Sequence, residues 1–198
     1  MLVSQAAHAV EKFTGGSISA DKTEEVYREI LRDKKNIVLI GMPGCGKTTL
    51  GKISADKLHK KFTDTDDEII KRINMPIADY FAKHGEESFR RIESEVIKEI
   101  SACQSSVIAT GGGAVLNPDN IRLLKENGTV IFIDRPLEKL VTTADRPLSS
   151  SRELLEKRYK ERYGLYCAAA DIKIDAVNEI EQNVKNIEEV FLNENSCN

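Results

Sequence analysis

The 198-residue chain carries 29 lysines and arginines against 32 aspartates and glutamates, a formal charge of −3, and 40% of its residues are hydrophobic. That length suits one compact α/β domain with room for an appendage, and the mild negative charge argues against a dedicated nucleic-acid binder while leaving local capture of anions open. No apolar run approaches the roughly 18 residues of a membrane span, and Met1–His8 places no basic region ahead of a long apolar core, so neither a membrane segment nor a secretory signal is expected. Cys45, Cys103, Cys167 and Cys197 show no metal-ligand spacing, which fits reduced thiols in a cytoplasmic protein.

Residues 1–35 hold two helical patches, 2–13 and 21–33, broken at Thr14-Gly15-Gly16-Ser17, with Asp21 or Thr23 as a cap for the second. From Asn36 the pattern turns to strand–helix alternation. Ile37–Ile40 reads as a strand buried on both faces, Gly41–Gly46 as a glycine-rich turn, and a helix follows to about residue 59. Lys61–Thr63 is a second strand running into Asp64-Thr65-Asp66. A helical region follows, interrupted at Asn74-Met75-Pro76 and at Gly85. Ser106–Ala109 is a third strand leading into Thr110-Gly111-Gly112-Gly113. Pro118 opens a helix that Gly128 is expected to end, and Val130–Ile133 is a fourth strand. A helix over 136–143, a loop at Asp145-Arg146-Pro147 with its serine run, and a helix over 151–164 come next. Ile172–Ile174 is a fifth strand, and a helix over 179–192 closes the chain. Such alternation predicts a parallel sheet covered on both faces, with ligands beyond the carboxyl ends of its strands.

Three clusters fall at such ends. Gly41-Met42-Pro43-Gly44-Cys45-Gly46-Lys47-Thr48 matches G-x-x-x-x-G-K-[ST] between a strand and a helix, the phosphate-binding P-loop pattern. Its backbone amides and the helix N-terminus draw an anion; Lys47 supplies a cation for the β- and γ-phosphates and Thr48 a hydroxyl for Mg²⁺. Cys45 reads as a redox-sensitive thiolate or, the reading preferred, an inert spacer. Asp64 and Asp66 sit two apart and, in an extended segment, share a side: Asp64 suits a water-mediated metal role and Asp66 the orientation of an attacking hydroxyl. The same pair also reads as a strand-end turn that caps the next helix. Gly111–Gly113 lets a ligand meet bare backbone, or is a flexible bend, and Thr110 stands where an acidic residue often ends this strand. Arg90 and Glu93 share a helix face, as a carboxylate clamp with its anchor or as a surface ion pair. Arg146 reads as a lid cation or an exposed loop residue. On spacing alone, Arg162 is one charge among many on a solvated helix.

In this order, Gly-Met-Pro-Gly-Cys-Gly-Lys-Thr, Asp-Thr-Asp, Phe-Arg-Arg-Ile-Glu, Gly-Gly-Gly-Ala-Val, Arg-Pro-Leu and Arg-x-x-Leu-Tyr resemble shikimate kinases over residues 35–192. The resemblance implies a P-loop NTPase-type three-layer α/β/α fold with a central five-stranded parallel sheet and a mobile lid around 144–152. It implies transfer of the γ-phosphoryl group of ATP to the 3-hydroxyl of shikimate, with Mg²⁺, in a cytoplasmic enzyme that is expected to be monomeric. Gly44, Cys45, Gly46, Lys47, Thr48, Thr49 and Arg146 would then bind ATP. Asp66, Arg90, Gly111, Gly112, Gly113 and Arg162 would bind shikimate. Asp66, Lys47 and Arg146 would be catalytic, and Thr48 with Asp64, the latter through water, would hold the metal. Leu140–Thr143 lacks the arginine that often stacks on adenine in that family. Met1–Gly15 resembles the C-terminal helix of shikimate dehydrogenases, with Gln5 matching a substrate-contacting glutamine. Residues 1–35 are therefore expected to be the tail of a fused or associated dehydrogenase, or a vestige of one; a frayed amphipathic extension is the plainer reading. The competing functions are another small-molecule P-loop kinase, for gluconate or a nucleoside monophosphate, and a nucleotide-gated binding module.

Overall fold

The computed structural model describes residues 2–17, 19–140, 152–176 and 179–194. Strands β1 (Asn36–Ile40), β2 (Lys61–Asp64), β3 (Ser106–Ala109), β4 (Gly128–Asp134) and β5 (Ile172–Asp175) form one all-parallel sheet in the order β2-β3-β1-β4-β5. Every residue of β1 and β4 is buried, as the continuous apolar runs demand of strands covered on both faces. Leu39 pairs with Ala109 on one side and Ile131 on the other, and Asp64 also pairs with Ala109. The carboxyl ends of β2, β3, β1 and β4 are therefore level, and the loops after them open along one edge. At the opposite end, buried Asn36 donates to the Cys103 carbonyl and accepts from the Ser106 amide, which satisfies both ends of its amide.

Helices α1 (Leu2–Thr14) and α2 (Ala20–Lys34) precede the sheet. The others are α3 (Lys47–Lys57), α4 (Thr65–Ile73), α5 (Ile77–Ser101), α6 (Pro118–Glu126), α7 (Arg152–Ala169) and α8 (Ile180–Glu194). The main core joins the sheet to residues of α3, α5, α6, α7 and α8. A smaller one, Ile69, Phe89 and Val96, locks α4 against α5. Within α5, Gly85 at φ 77°, ψ 171° makes the predicted break.

Several boundaries differ from the sequence reading. Ser19, not Asp21 or Thr23, caps α2 and accepts from the Lys22 amide. Gly128 opens β4 instead of ending α6: a Cβ there would lie 2.9 Å from the Leu124 carbonyl oxygen, so only glycine fits where strand meets helix. The helix expected over 136–143 is a single 3₁₀ turn, Leu137–Lys139, because Leu140 is drawn into the main core with an extended backbone; 141–143 lie outside the described residues. Helix α7 continues through Gly164 to Ala169. An internal glycine costs about 1 kcal/mol, and the burial of Arg162, Tyr166 and Ala169 on one face offsets it.

Candidate active site

β1 delivers the chain to Gly41, and α3 starts six residues later at Lys47. Gly46 caps α3 in the left-handed region, φ 100°, ψ 12°, a turn that other residues enter only with strain. The loop lies flush on the end of β4: a Cβ on Gly41 would be 2.7 Å from the Ile133 carbonyl oxygen. Lys47 is buried, and its Nζ donates to the Gly41 and Met42 carbonyls, each at 2.9 Å, with Cys45 Sγ at 3.6 Å. Cys45 is itself buried, as suits a spacer. Gly44 and Thr48 are half-buried and Thr49 is exposed, so the first turn of α3 faces out of the loop.

Thr48 Oγ1 donates to Asp64 Oδ2 at 2.7 Å. Asp64 is buried and its other oxygen accepts the Asp66 amide at 3.0 Å, capping α4. The expectation of two aspartates on one side of an extended segment is corrected here: β2 ends at Asp64 and α4 begins at Thr65, so Asp66 lies in the first helical turn. Asp64 caps the helix, as the plainer reading has it, and also accepts from Thr48 of the phosphate loop. Asp66 is carried instead to the glycine turn after β3. A Cβ on Gly111 would lie 2.7 Å from Asp66 Oδ1 and 3.1 Å from Glu93 Oε1.

That glycine turn is held from three sides. The Gly111 amide donates to Thr65 Oγ1 at 2.7 Å, and Thr110 ties back to the Leu39 carbonyl. The Gly112 carbonyl accepts from Arg162 Nη1 at 3.0 Å and from the Tyr166 hydroxyl at 2.6 Å. A Cβ on Gly112 would lie 2.8 Å from Pro43 Cδ, so the turn touches the phosphate loop. A Cβ on Gly113 would lie 2.6 Å from Arg90 Cζ. Asp66, Arg90, Arg162 and the phosphate loop thus all border one three-glycine turn.

The electrostatics are those of a partly buried site. Glu93 is 1% exposed and takes Arg90 Nη1 at 2.7 Å, while Arg90 Nη2 reaches Glu86 at 3.0 Å. Burial raises the Glu93 pKa against the pull of Arg90, and Asp66 raises it further. Burial also works against the Arg90 charge, but Glu93 and Glu86 outweigh it and hold its pKa above the ordinary value. Burial pushes the Tyr166 hydroxyl up, which keeps it a donor. Arg158, one helical turn before Arg162, is lowered by burial and then by the Arg162 charge.

Sequence reading brought forward most of this set and missed Thr65, Glu86, Tyr166 and Arg158. Of these, the four-residue spacings Glu86–Arg90, Arg158–Arg162 and Arg162–Tyr166 are visible signals, whereas the Thr65–Gly111 bond links residues 46 apart. Arg146 and the lid expected around 144–152 fall largely outside the described residues, which resume at Arg152. Among the described residues no group of three or more His, Cys, Asp or Glu side chains could hold a metal ion. The Thr48 hydroxyl against Asp64 offers two oxygens of the kind that a hard cation such as Mg²⁺ could take.

The parallel sheet, the glycine loop and its buried lysine define a P-loop NTPase-type nucleotide-binding protein. A family model described as shikimate kinase matches residues 43–192. The chain is 44% identical over 164 residues to a shikimate kinase of Clostridium botulinum (strain Eklund 17B / Type B), covering 81% of this chain and 99% of that one. The structure of a shikimate kinase from Acinetobacter baumannii in complex with shikimate superposes with a TM-score of 0.78 at 31% identity, over 84% of this chain and 98% of that one. A gluconokinase from Sinorhizobium meliloti 1021, 14% identical with a TM-score of 0.57 over 83% and 95% of the two chains, shares the fold. The chain belongs to the shikimate kinase family.

Proposed function

We propose that the chain transfers the γ-phosphoryl group of ATP to the 3-hydroxyl of shikimate, releasing ADP and shikimate 3-phosphate. The single observation that carries this is the shared border just described: a carboxylate, two arginines and the phosphate loop meet at Gly111–Gly113. A half-buried and a buried arginine beside a carboxylate suit an anionic alcohol over a neutral one, and the match to the shikimate kinase model favours shikimate over gluconate or a nucleoside monophosphate.

In this reading the Asp66 carboxylate orients the acceptor hydroxyl and takes its proton as the oxygen attacks phosphorus. Arg90, its fork set by Glu93, and Arg162, tethered to the Gly112 carbonyl, bind the acceptor carboxylate. Gly111–Gly113 keep side chains out of the way so that the acid lies against backbone. Lys47 exchanges its carbonyl partners for the β- and γ-phosphates, which the loop amides from Gly44 to Thr49 surround. Thr48, with Asp64 behind it, would hold Mg²⁺, which supplies neutralisation of phosphate charge when bound. Arg146 is assigned by resemblance to the phosphates as the lid arginine.

ADP release with shikimate, gluconate and nucleoside monophosphates as acceptors tests the proposal. Stimulation by shikimate alone is expected. Stimulation by another acceptor instead would replace the assignment, and nucleotide binding with no stimulated release would favour the binding module.

The same proposal divides the chain into an extension, 1–35, and a kinase domain, 36–198. The family match begins at residue 43. No residue of α2 is buried, and Val10, Phe13, Tyr27, Ile30 and Leu31 stand exposed on the two helices. Lys60 Nζ on the Asp33 and Lys35 carbonyls, and the Ser105 amide on that of Lys34, join the end of α2 to the sheet side. This supports reading the extension as separate from the kinase core and without part in the chemistry; its reading as the remnant of a dehydrogenase tail rests on the resemblance of Met1–Gly15 alone. Deleting residues 1–34 is expected to leave kinase activity intact, and loss of folding would contradict the division. The kinase is further proposed to act as a cytoplasmic monomer; the free thiols of Cys45, Cys103 and Cys167 support a reducing compartment.

A further inference from the structure

Arg135 follows the last residue of β4, at the same edge as the phosphate loop. A Cβ on Gly46 would lie 3.6 Å from Arg135 Nη1, which sets this guanidinium over the residue that caps α3. Two features make the position costly in the protein alone. The amide end of α3 carries partial positive charge, which repels a fixed cation. Arg135 Nε is also buried with no hydrogen-bond partner, a loss that native interiors rarely leave uncompensated. The adjacent carboxylate is turned to other partners: Asp134 Oδ2 accepts from the Tyr163 hydroxyl at 2.9 Å and from Lys173 Nζ at 3.2 Å. An anion in the loop turns the first cost into a gain, since it answers the helix end and the Nη1 edge of the guanidinium together.

We propose that Arg135 is a second fixed cation of the nucleotide site, donating from the β4 edge to the phosphate chain that the glycine loop holds from the α3 side. The proposal rests on reading that loop as the nucleotide site and is independent of which alcohol accepts the phosphoryl group. Arg135 would set nucleotide affinity, leaving the acceptor to Arg90 and Arg162.

The test is calorimetric titration of Mg·ADP, and separately of inorganic tripolyphosphate, into wild type, Arg135→Met and Arg135→Lys without acceptor. Arg135→Met is expected to weaken both ligands about tenfold, as for one charge-assisted hydrogen bond. It should leave the shikimate KM unchanged and the melting temperature of the ligand-free protein no lower, since the variant removes a cost from that state. Arg135→Lys, which keeps the charge and loses the fork, is expected to weaken them about threefold. Wild-type affinity in Arg135→Met overturns the proposal. So does a loss confined to ADP, which would move the contact to base or ribose, or an equal loss of shikimate binding, which would make the arginine a structural strut. Should Arg135→Met not fold, Arg135→Lys decides alone, and unchanged affinity in it overturns the proposal. A wild type that binds Mg·ADP without phosphorylating shikimate would sink the acceptor assignment and leave this test intact.

Discussion

Gly113→Ala isolates the acid clamp without touching a charged group. Gly113 has φ −101° and ψ −6°, which alanine adopts without strain, so the added methyl acts by contact alone. Its carbon would start 2.6 Å from Arg90 Cζ and 2.7 Å from Nη2. Non-bonded atoms settle near 3.5–4.0 Å and Nη1 starts nearer still than these two, so the guanidinium must retreat by roughly 1.5 Å. That retreat stretches the 2.7 Å bond from Arg90 Nη1 to Glu93 beyond hydrogen-bonding range and withdraws the fork from the acceptor carboxylate. A hydrogen bond to a charged group is worth about 1.5–3 kcal/mol, so the shikimate KM should rise between about tenfold and a hundredfold. The atoms that move are the far end of a long side chain. The methyl itself is cheap to fit, but Glu93 is 1% exposed and loses its partner, so the stability cost should reach about 1–3 kcal/mol, a fall of several degrees in Tm. The assay is ADP production with shikimate varied at saturating ATP, then the reverse, beside a melting curve. An unchanged shikimate KM, or an ATP KM that rises by the same factor, would refute the placement of Arg90.

Thr48→Val removes the hydroxyl proposed to hold Mg²⁺ while keeping the side chain's shape. The Mg²⁺ concentration for half-maximal activity should rise at least about tenfold with the shikimate KM unchanged, and a magnesium titration reads it. Glu93→Gln should flatten part of the pH–stability profile. Burial, outweighing Arg90, raises the folded-state pKa above the reference value of 4.5, so the native state holds the proton longer and stability falls as pH climbs from 4.5 through the folded value. Urea unfolding across that range checks it, and a slope retained in Glu93→Gln would assign the titration elsewhere. Arg162→Met should raise the shikimate KM and also loosen the glycine turn, since Gly112 then keeps only the Tyr166 hydroxyl; faster hydrogen exchange at the turn would report this.

The features legible in the sequence were those written locally. Ile37–Ile40 announces a doubly covered strand, and the spacing from Gly41 to Thr48 announces the loop, because each depends on residues within a few positions. Asp64 and Asp66 were paired for a reason that does not hold, since the chain changes from strand to helix between them and the two-residue period ends there. The 3₁₀ turn at Leu137–Lys139 was beyond local reading, because burial of Leu140 in the main core decides it. The contacts that make the site, Gly111 with Asp66 and Glu93, Gly112 with Arg162 and Tyr166, and Gly46 beside Arg135, link distant stretches of chain. Periodicity carries no signal of them, and only the ordered set of short motifs hinted that they converge.

Incubating the wild-type chain and Asp66→Asn with shikimate and ATP labelled in its γ-phosphoryl group, and then locating the label, confronts the account most directly. Label on the 3-hydroxyl of shikimate in the wild type, with turnover lower by about 10²–10⁴-fold in a normally folded Asp66→Asn, is the predicted result. Label that stays in ATP or passes only to water, or an Asp66→Asn protein as fast as wild type, would contradict it.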